Sequence, residues 1–158
     1  MSSKTIIEKI PYEKWSEFSK ALGPGPCRSM AFPQGEAYAI FLNTLKRPMV
    51  GMVWYTYAYR NNQWRKNAIP ELQNLNQKQQ IAFLNDNVRL LARISVFEEY
   101  RHHRYAQKLL ARTIRKIGVQ YVECLTAHDD IRSLLDKCGF ILYDENLEQN
   151  LSYYLWTR

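Results

Sequence analysis

The segment from Leu90 to Leu110 constrains the fold more than any other part of the chain, because it changes from strand to helix within one short loop. Mostly apolar residues predict a strand over Val88–Phe97, and apolar residues at helical spacing predict a helix over Ala106–Gly118. The first amides of such a helix have no partner within it, and they lie at the positive end of the helix dipole. The segment therefore predicts a site for an anion such as a phosphate group.

Hydrophobic patterning elsewhere predicts further strands and helices. Strands are predicted at Lys4–Ile10, Ala37–Leu45, Met49–Tyr59, Val119–Thr126, Phe140–Tyr143 and Leu151–Trp156, and helices at Tyr12–Leu22, at Gln73–Asn85 and from Asp129 or Asp130 to Lys137. Gly23-Pro24-Gly25-Pro26 is predicted to end the first helix. The polar stretch at about 60–87 is interpreted as an elaborated connection inside a single domain of 158 residues. This order of elements indicates an α/β fold with a mixed sheet.

The chain is basic, with 22 Lys and Arg residues against 15 Asp and Glu residues and a formal net charge of +7. Such a charge fits a nucleic acid or phosphorylated cofactor as partner, and it equally fits an ordinary soluble basic protein. Cys27, Cys124 and Cys138 are odd in number and form no CxxC pair. This argues against a disulfide framework and predicts a reducing, cytoplasmic location. The sequence predicts no membrane partner, because no apolar run has the length of a membrane span.

Two motifs resemble those of the GNAT superfamily, the acyl-CoA-dependent N-acyltransferases. In the family pattern, valine is followed by four residues, Arg or Gln, two residues, Gly, one residue, and Gly or Ala. Here Val96 is followed after four residues by Arg101-His102-His103-Arg104-Tyr105-Ala106, and Lys137-Cys138-Gly139-Phe140 resembles a second family element. The resemblance covers Val88 to Arg158 and is much weaker before it. It implies an α/β (α+β) fold with a mixed, mostly antiparallel central sheet, flanked by helices on both faces.

The resemblance implies acetyl-CoA, or another acyl-CoA, as cofactor. The pyrophosphate would lie against the start of the helix, on backbone amides from this set: His103, Arg104, Tyr105, Ala106 and Gln107. The side chains of Arg101 and Arg104 would meet phosphates, and the backbone of Ile94 and Val96 would hold the pantetheine and the acyl carbonyl.

Two residues depart from the family pattern. Arg104 replaces the middle glycine of the loop, so its amide can approach a phosphate only if its backbone angles permit. Leu135 occupies a position where many family members have a tyrosine that protonates the leaving thiolate, and leucine cannot do this.

Proton transfer has several candidate residues. His128 follows a predicted strand, Glu98 lies at the mouth of the loop, and Ser95 neighbours the expected acyl site. Each of these also fits an ordinary surface or packing role. The alternative proton donors are Tyr57, Tyr59, Tyr153 and Tyr154. No metal site is predicted, because the adjacent His102 and His103 lack further ligands at a suitable spacing.

The acceptor is left open between an amine on nucleic acid and one on a protein or small molecule. The wording of Arg89–Val96 and Tyr121–Ala127 is similar to acetyltransferase-like domains beside some bacterial transport-type ATPases, and more distantly to phage Mom proteins that modify adenine in DNA. A basic and aromatic cluster is a candidate nucleic-acid site; it comprises Tyr57, Tyr59, Arg60, Trp64, Arg65 and Lys66.

A second basic stripe follows the predicted helix and is either a phosphate site or a solvated outer face; it comprises Arg101, Arg104, Lys108, Arg112, Arg115 and Lys116. The leading interpretation of the chain is an N-acyltransferase. The alternative is a non-catalytic nucleic-acid-binding or adaptor protein on the same scaffold, and a homodimer is left open.

Overall fold

The computed structural model describes residues 4–23 and 35–158. The described residues form two compact units, drawn from Met1–Thr56 with Leu91–Ile117, and from Tyr57–Leu90 with Gly118–Arg158. A single domain therefore stays a prediction. Pro24–Pro26 of the predicted helix stop and Cys27 lie outside the described residues.

The first unit is built on four neighbouring strands: β1 (Thr5–Ile10), β2 (Gly35–Leu42), β3 (Met49–Tyr57) and the C-terminal part of β4 (Val88–Val96). Strand β2 pairs antiparallel with β1 on one side and with β3 on the other. The helices of this unit are α1 (Trp15–Leu22) and α4 (Tyr105–Thr113). Trp15 and Trp54 centre one buried core cluster, which also includes Met52 and Ile10.

The second unit contains the first residues of β4, followed in the sheet by β5 (Tyr121–Thr126), β7 (Leu151–Thr157) and β6 (Ile141–Asn146). Its helices are α2 (Arg65–Ala68), α3 (Gln77–Asn87) and α5 (Asp129–Lys137). Strands β4 and β5 pair in parallel over Val88–Leu90, whereas β5 with β7 and β6 with β7 are antiparallel.

The strand order β1-β2-β3-β4-β5-β7-β6 confirms the predicted mixed, mostly antiparallel sheet with helices. No helix among residues 4–23 and 35–158 is long and apolar enough to cross a membrane.

The connection at 60–87 departs most from the predicted elements. Helix α3 begins at Gln77 rather than Gln73, because Asn76 and Gln79 form a reciprocal capping box. The Asn76 side chain accepts from the Gln79 amide at 2.9 Å, and the Gln79 side chain accepts from the Asn76 amide at 3.0 Å. Pro70 begins a separate 3₁₀ turn, Pro70–Asn74, which the apolar spacing alone does not predict.

Other boundaries differ from the predictions by a few residues. Helix α4 ends at Thr113 rather than Gly118, and the chain continues through a hydrogen-bonded turn to Ile117. Strand β2 ends at Leu42, and β6 continues beyond Tyr143 to Asn146. These differences leave the order of strands and helices unchanged.

Candidate functional site

The loop between β4 and α4 carries the sequence motif, with arginine at the position of its middle glycine. The amide of Phe97 donates to the carbonyl of Val50 at 2.9 Å, which holds the start of the loop against β3. A 3₁₀ turn at Glu98–Tyr100 follows. Arg104 then adopts the left-handed conformation, with φ 62° and ψ 22°. This is a backbone conformation that glycine adopts readily, so Arg104 keeps a glycine-like backbone at the motif position of glycine.

Arg104 also starts helix α4. Its carbonyl accepts from the Lys108 amide at 3.0 Å, which is the first hydrogen bond of the helix, and its side chain makes no capping bond. The side chains of Arg101, His102, His103 and Arg104 are all exposed. The start of α4 is therefore accessible to solvent and has basic side chains around it, an arrangement that suits an anion.

The side chain of Arg101 forms a hydrogen bond back to the start of its own loop. Its Nε donates to the carbonyl of Val96 at 3.2 Å. That carbonyl oxygen is thus already an acceptor within the loop, while the rest of the exposed guanidinium still faces solvent. Close by in sequence, the rings of His103 and Tyr105 lie 5.9 Å apart between centroids.

Ser95 has a buried partner that the sequence did not predict. Its Oγ accepts from the Nε of Arg93 at 3.0 Å, and Arg93 is only 7% exposed. Arg93 continues to the end of α1, donating to Ser19 Oγ at 3.1 Å and to the Gly23 carbonyl at 2.8 Å. The contact with Arg93 places the Ser95 hydroxyl beside a buried positive charge. The available sequence signal was an arginine two residues before Ser95 in an apolar strand, hence on the same face.

Gly51 brings strand β3 close to the candidate acyl-binding part of β4. A Cβ at this position would lie 2.5 Å from the Ser95 carbonyl oxygen and 3.0 Å from a methyl group of Val96. Helix α4 is fixed on the same unit by a buried hydrogen bond of 2.6 Å between the hydroxyls of Tyr55 and Thr113. The strand before the loop and the helix after it are therefore both fixed within the first unit.

His128 lies in the second unit, whereas Ser95 and Glu98 lie in the first. It is exposed and immediately precedes α5. Its amide donates to Thr126 Oγ1 at 3.1 Å, and its carbonyl accepts from the Arg132 amide at 3.0 Å. The backbone of His128 is thus well fixed while its ring is open to solvent. Glu98 is likewise exposed, in the 3₁₀ turn of the loop.

The candidate tyrosines differ in environment. Burial, followed by the charge of Glu123, raises the pKa of Tyr153, whose hydroxyl donates to Glu123 at 2.7 Å. Burial also raises the pKa of Tyr154, and the Tyr57 ring lies under the guanidinium of Arg89 at 4.2 Å. Tyr59 is 60% exposed. Tyr153 and Tyr154 hold their protons more tightly than an ordinary tyrosine does.

The basic and aromatic cluster of the second unit is only partly displayed to solvent. Arg65 is buried and ion-paired with the buried Glu123, with one Nε to Oε2 distance of 2.9 Å. Trp64 stacks on Tyr153 with ring centroids 6.4 Å apart. Arg65 and Trp64 thus anchor the connection at 60–87 within this unit. The exposed members are Tyr59, Arg60 and Lys66.

In the described part of the chain, no group of three or more His, Cys, Asp or Glu side chains could hold a metal ion. Leu135, at the position of the family tyrosine, is fully buried in α5.

Comparison with known proteins identifies the architecture. No protein-family model and no curated protein sequence matches the chain. Among solved structures, the chain is similar to an IAA acetyltransferase from Bacillus cereus, with a TM-score of 0.61, 15% identity, and coverage of 98% of this chain and 100% of that one. It is similar to NAA60 of Arabidopsis thaliana in complex with acetyl-CoA, with a TM-score of 0.62, 14% identity, and coverage of 98% and 99%. An acetyltransferase of the GNAT family from Listeria monocytogenes matches 77% of this chain and 64% of its own length, with a TM-score of 0.51 and 10% identity.

The chain has the GNAT fold. The strand, loop and helix that carry the sequence motif are present in it as β4, residues 97–104 and α4. Because the identities are this low, the activity has to be argued from the residues of the chain itself.

Proposed function

We propose that this protein is an acyl-CoA-dependent N-acyltransferase that transfers an acetyl-type group to an amine. The observation that carries the proposal is the backbone of Arg104, which is left-handed at the motif position of glycine and leads directly into α4. The GNAT fold, shared with a relative whose structure contains acetyl-CoA, supports the same proposal.

In the proposed reaction, the amine nitrogen attacks the thioester carbonyl, the new C–N bond forms, and the C–S bond breaks. The amine loses a proton to a base, and the departing thiolate takes one up, so that the products are an amide and free CoA. The pyrophosphate is bound by the backbone amides at the start of α4, from His103 to Gln107. The side chains of Arg101 and Arg104 neutralise phosphate charge. Ile94 and Val96 supply backbone groups to the pantetheine and the acyl carbonyl.

Binding is tested first, with a matched pair of variants. Ala106 is in the first turn of α4 and Ala111 is on its exposed side, so Ala106→Glu puts a carboxylate into the proposed cradle while Ala111→Glu does not. A first-turn glutamate does not harm a helix, because it suits the helix dipole. We expect acetyl-CoA at about 100 times its Kd to stabilise the wild type by about 2.7 kcal/mol. Ala106→Glu should weaken calorimetric binding at least about tenfold, as expected for the loss of roughly 1.4 kcal/mol, and Ala111→Glu should leave it unchanged.

A wild-type protein whose melting temperature does not respond to millimolar acetyl-CoA contradicts the proposal. Equal weakening by the two glutamates would place the coenzyme elsewhere.

Proton transfer is assigned to three candidates, Ser95, Glu98 and His128. The variants Ser95→Ala, Glu98→Gln and His128→Gln are compared by the rate of thiol release with an amine acceptor and by the Kd for acetyl-CoA. Replacing a residue that moves a proton should lower kcat by about 100-fold or more and alter the pH profile of kcat, while the Kd for acetyl-CoA stays constant. If a variant changes the melting temperature but neither kcat nor the Kd, the replaced residue has a structural role.

The alternative function is a non-catalytic nucleic-acid-binding or adaptor protein on the GNAT scaffold. The observation that favours it is Leu135, which is buried and offers no proton to a departing thiolate. Under this alternative, the protein binds nucleic acid and releases no thiol with any amine.

We further propose that the acceptor amine lies on nucleic acid. The distant resemblance to phage Mom proteins, which modify adenine in DNA, supports this acceptor. This proposal is tested by the mass of one added acetyl group on DNA or tRNA, with a peptide and a small amine as the competing acceptors. A cytoplasmic location and a homodimer stay predictions.

A further inference from the structure

The net positive charge of the chain comes from one of its two units. The ranges Met1–Thr56 and Leu91–Ile117 hold fourteen of the 22 basic residues but six of the 15 acidic ones, a formal charge of +8. The remaining residues carry a formal charge of −1. The unit with the candidate coenzyme loop is therefore the one that would attract a large anion.

Within that unit, the longest basic run lies on and just after helix α4. We call Lys108, Arg112, Arg115 and Lys116 the α4 basic face. Residues 100–118 include no acidic side chain. Arg112, Arg115 and Lys116 are exposed and Lys108 is half-buried, while Leu109, Leu110 and Ile114 bury the opposite side.

The α4 basic face is separate from the proposed pyrophosphate site. At about 1.5 Å per helical residue, Arg112 lies roughly 10 Å along the axis from the first residue of the helix, Tyr105. Arg115 and Lys116 lie further along the chain, in the turn that follows. A phosphate at the helix start, near Arg101 and Arg104, would therefore lie well away from Arg112 and Lys116.

We propose that the α4 basic face binds the phosphodiester backbone of a nucleic acid. Successive cations about one helical turn apart suit a polymer with regularly spaced phosphates. An anionic membrane is the weaker match, because a helix that lies on a membrane inserts an exposed apolar face. The apolar side of α4 is buried in its own unit, and Ala111 is the apolar residue on the exposed side.

This inference rests on the proposed function only in making the bound nucleic acid the carrier of the acceptor amine. The binding itself needs no coenzyme. The exposed Arg60 and Lys66 are the competing contact site, because they belong to the basic and aromatic cluster of the second unit.

The test measures binding of the full chain to a fluorescein-labelled duplex DNA and to a labelled single-stranded RNA by fluorescence polarisation. About four phosphate contacts predict that affinity falls about 100-fold between 50 and 200 mM salt. We expect R112E/K116E to weaken binding at least tenfold and R112Q/K116Q to weaken it less but in the same direction. The competing-site variant K66E/K78E, which reverses two exposed lysines of the second unit, should change it less than threefold.

The neutral glutamine pair keeps the test valid if the glutamate pair unfolds, because melting temperature is recorded for every variant. Wild-type binding that is absent, or insensitive to salt, overturns the inference. So does a larger loss in K66Q/K78Q than in R112Q/K116Q, which would assign the contact to the second unit. Binding to vesicles with anionic lipid but to neither nucleic acid would identify a membrane surface instead.

The same variants are titrated with acetyl-CoA, which separates the two proposals. Unchanged coenzyme affinity with weakened nucleic-acid binding supports both. If the wild type binds nucleic acid through the α4 basic face but never binds acetyl-CoA, the proposed function fails and the surface stands.

Discussion

Replacing Arg104 with glycine should stabilise the protein, although it removes a large side chain. Arg104 holds φ 62° and ψ 22° without a capping hydrogen bond from its side chain. The left-handed conformation costs a residue with a Cβ about 1–2 kcal/mol. Glycine avoids this cost but loses about 0.4–1 kcal/mol through the greater freedom of the unfolded chain. The net expectation for Arg104→Gly is a gain of about 0.5–1 kcal/mol, or about 1–4 °C in melting temperature for a chain of this length.

Two companion variants isolate the backbone effect. Arg104→Ala keeps the left-handed strain and removes the same guanidinium, so it should not be stabilised. Arg112→Gly makes the same replacement at an exposed position inside α4, where the backbone is right-handed, and should destabilise by about 1 kcal/mol. Opposite signs for the two glycine variants are the expected result by thermal unfolding and by urea titration. Arg104→Gly melting at or below Arg104→Ala would refute the left-handed assignment.

The same variants show what the guanidinium of Arg104 contributes to coenzyme binding. A charge-assisted contact to phosphate is worth about 1.5–3 kcal/mol. Both Arg104→Gly and Arg104→Ala should then bind acetyl-CoA at least about tenfold more weakly by calorimetry. If Arg104→Gly binds as tightly as the wild type while Arg104→Ala does not, the amide is the important group and the side chain is dispensable.

Three further predictions concern the surroundings of the site. Glu123→Gln leaves the buried Arg65 without its counter-charge and should lower the free energy of unfolding by about 3–5 kcal/mol in urea titrations; a loss below about 1 kcal/mol would mean that water reaches the pair. The pKa of Tyr121 is raised from 10.0 to about 12 by burial and by its hydrogen bond to Glu71, so the stability that this hydroxyl contributes is present below pH 10 and is lost as pH rises towards 12. Tyr121→Phe should flatten that decline in a pH series of melting temperatures, and an unchanged slope would contradict the assignment. Gly51→Ala should destabilise by about 1–3 kcal/mol and weaken acetyl-CoA binding, because its Cβ would meet the β4 backbone; a variant with wild-type melting and affinity would mean that the strands separate freely.

Apart from the short helix α2, which was not predicted, the order of strands and helices could be predicted from the sequence because it depends on local apolar patterning. The strand over Val88–Phe97 and the helix from Ala106 differ by one residue from β4 and from the start of α4. Element ends depend on finer interactions. The start of α3 is set by the capping box of Asn76 and Gln79, whose side-chain bonds outweigh the apolar position of Leu75.

The interpretation of charged residues was less reliable, because sequence does not show which cations are buried. Arg65 lies among aromatic and basic neighbours that resemble a nucleic-acid site, yet its partner, Glu123, is 58 residues away in the chain. Arg93 meets Ser19 across 74 residues. Pairs at such separations leave no periodic signal, so they become evident only when the fold brings the strands and helices together.

Arg104 shows where motif matching and physical chemistry differ. The motif has glycine at this position. Its physical requirement is a residue that adopts the left-handed conformation before the helix, so that the backbone presents amides to an anion. Arginine can meet that requirement at an energetic cost, and in return it adds a positive charge at the same place. The substitution therefore weakens the sequence match while it strengthens the electrostatics of the anion site. For this reason, the Kd for acetyl-CoA of the glycine variant, compared with that of the wild type, is the measurement that decides whether the cost is balanced by binding.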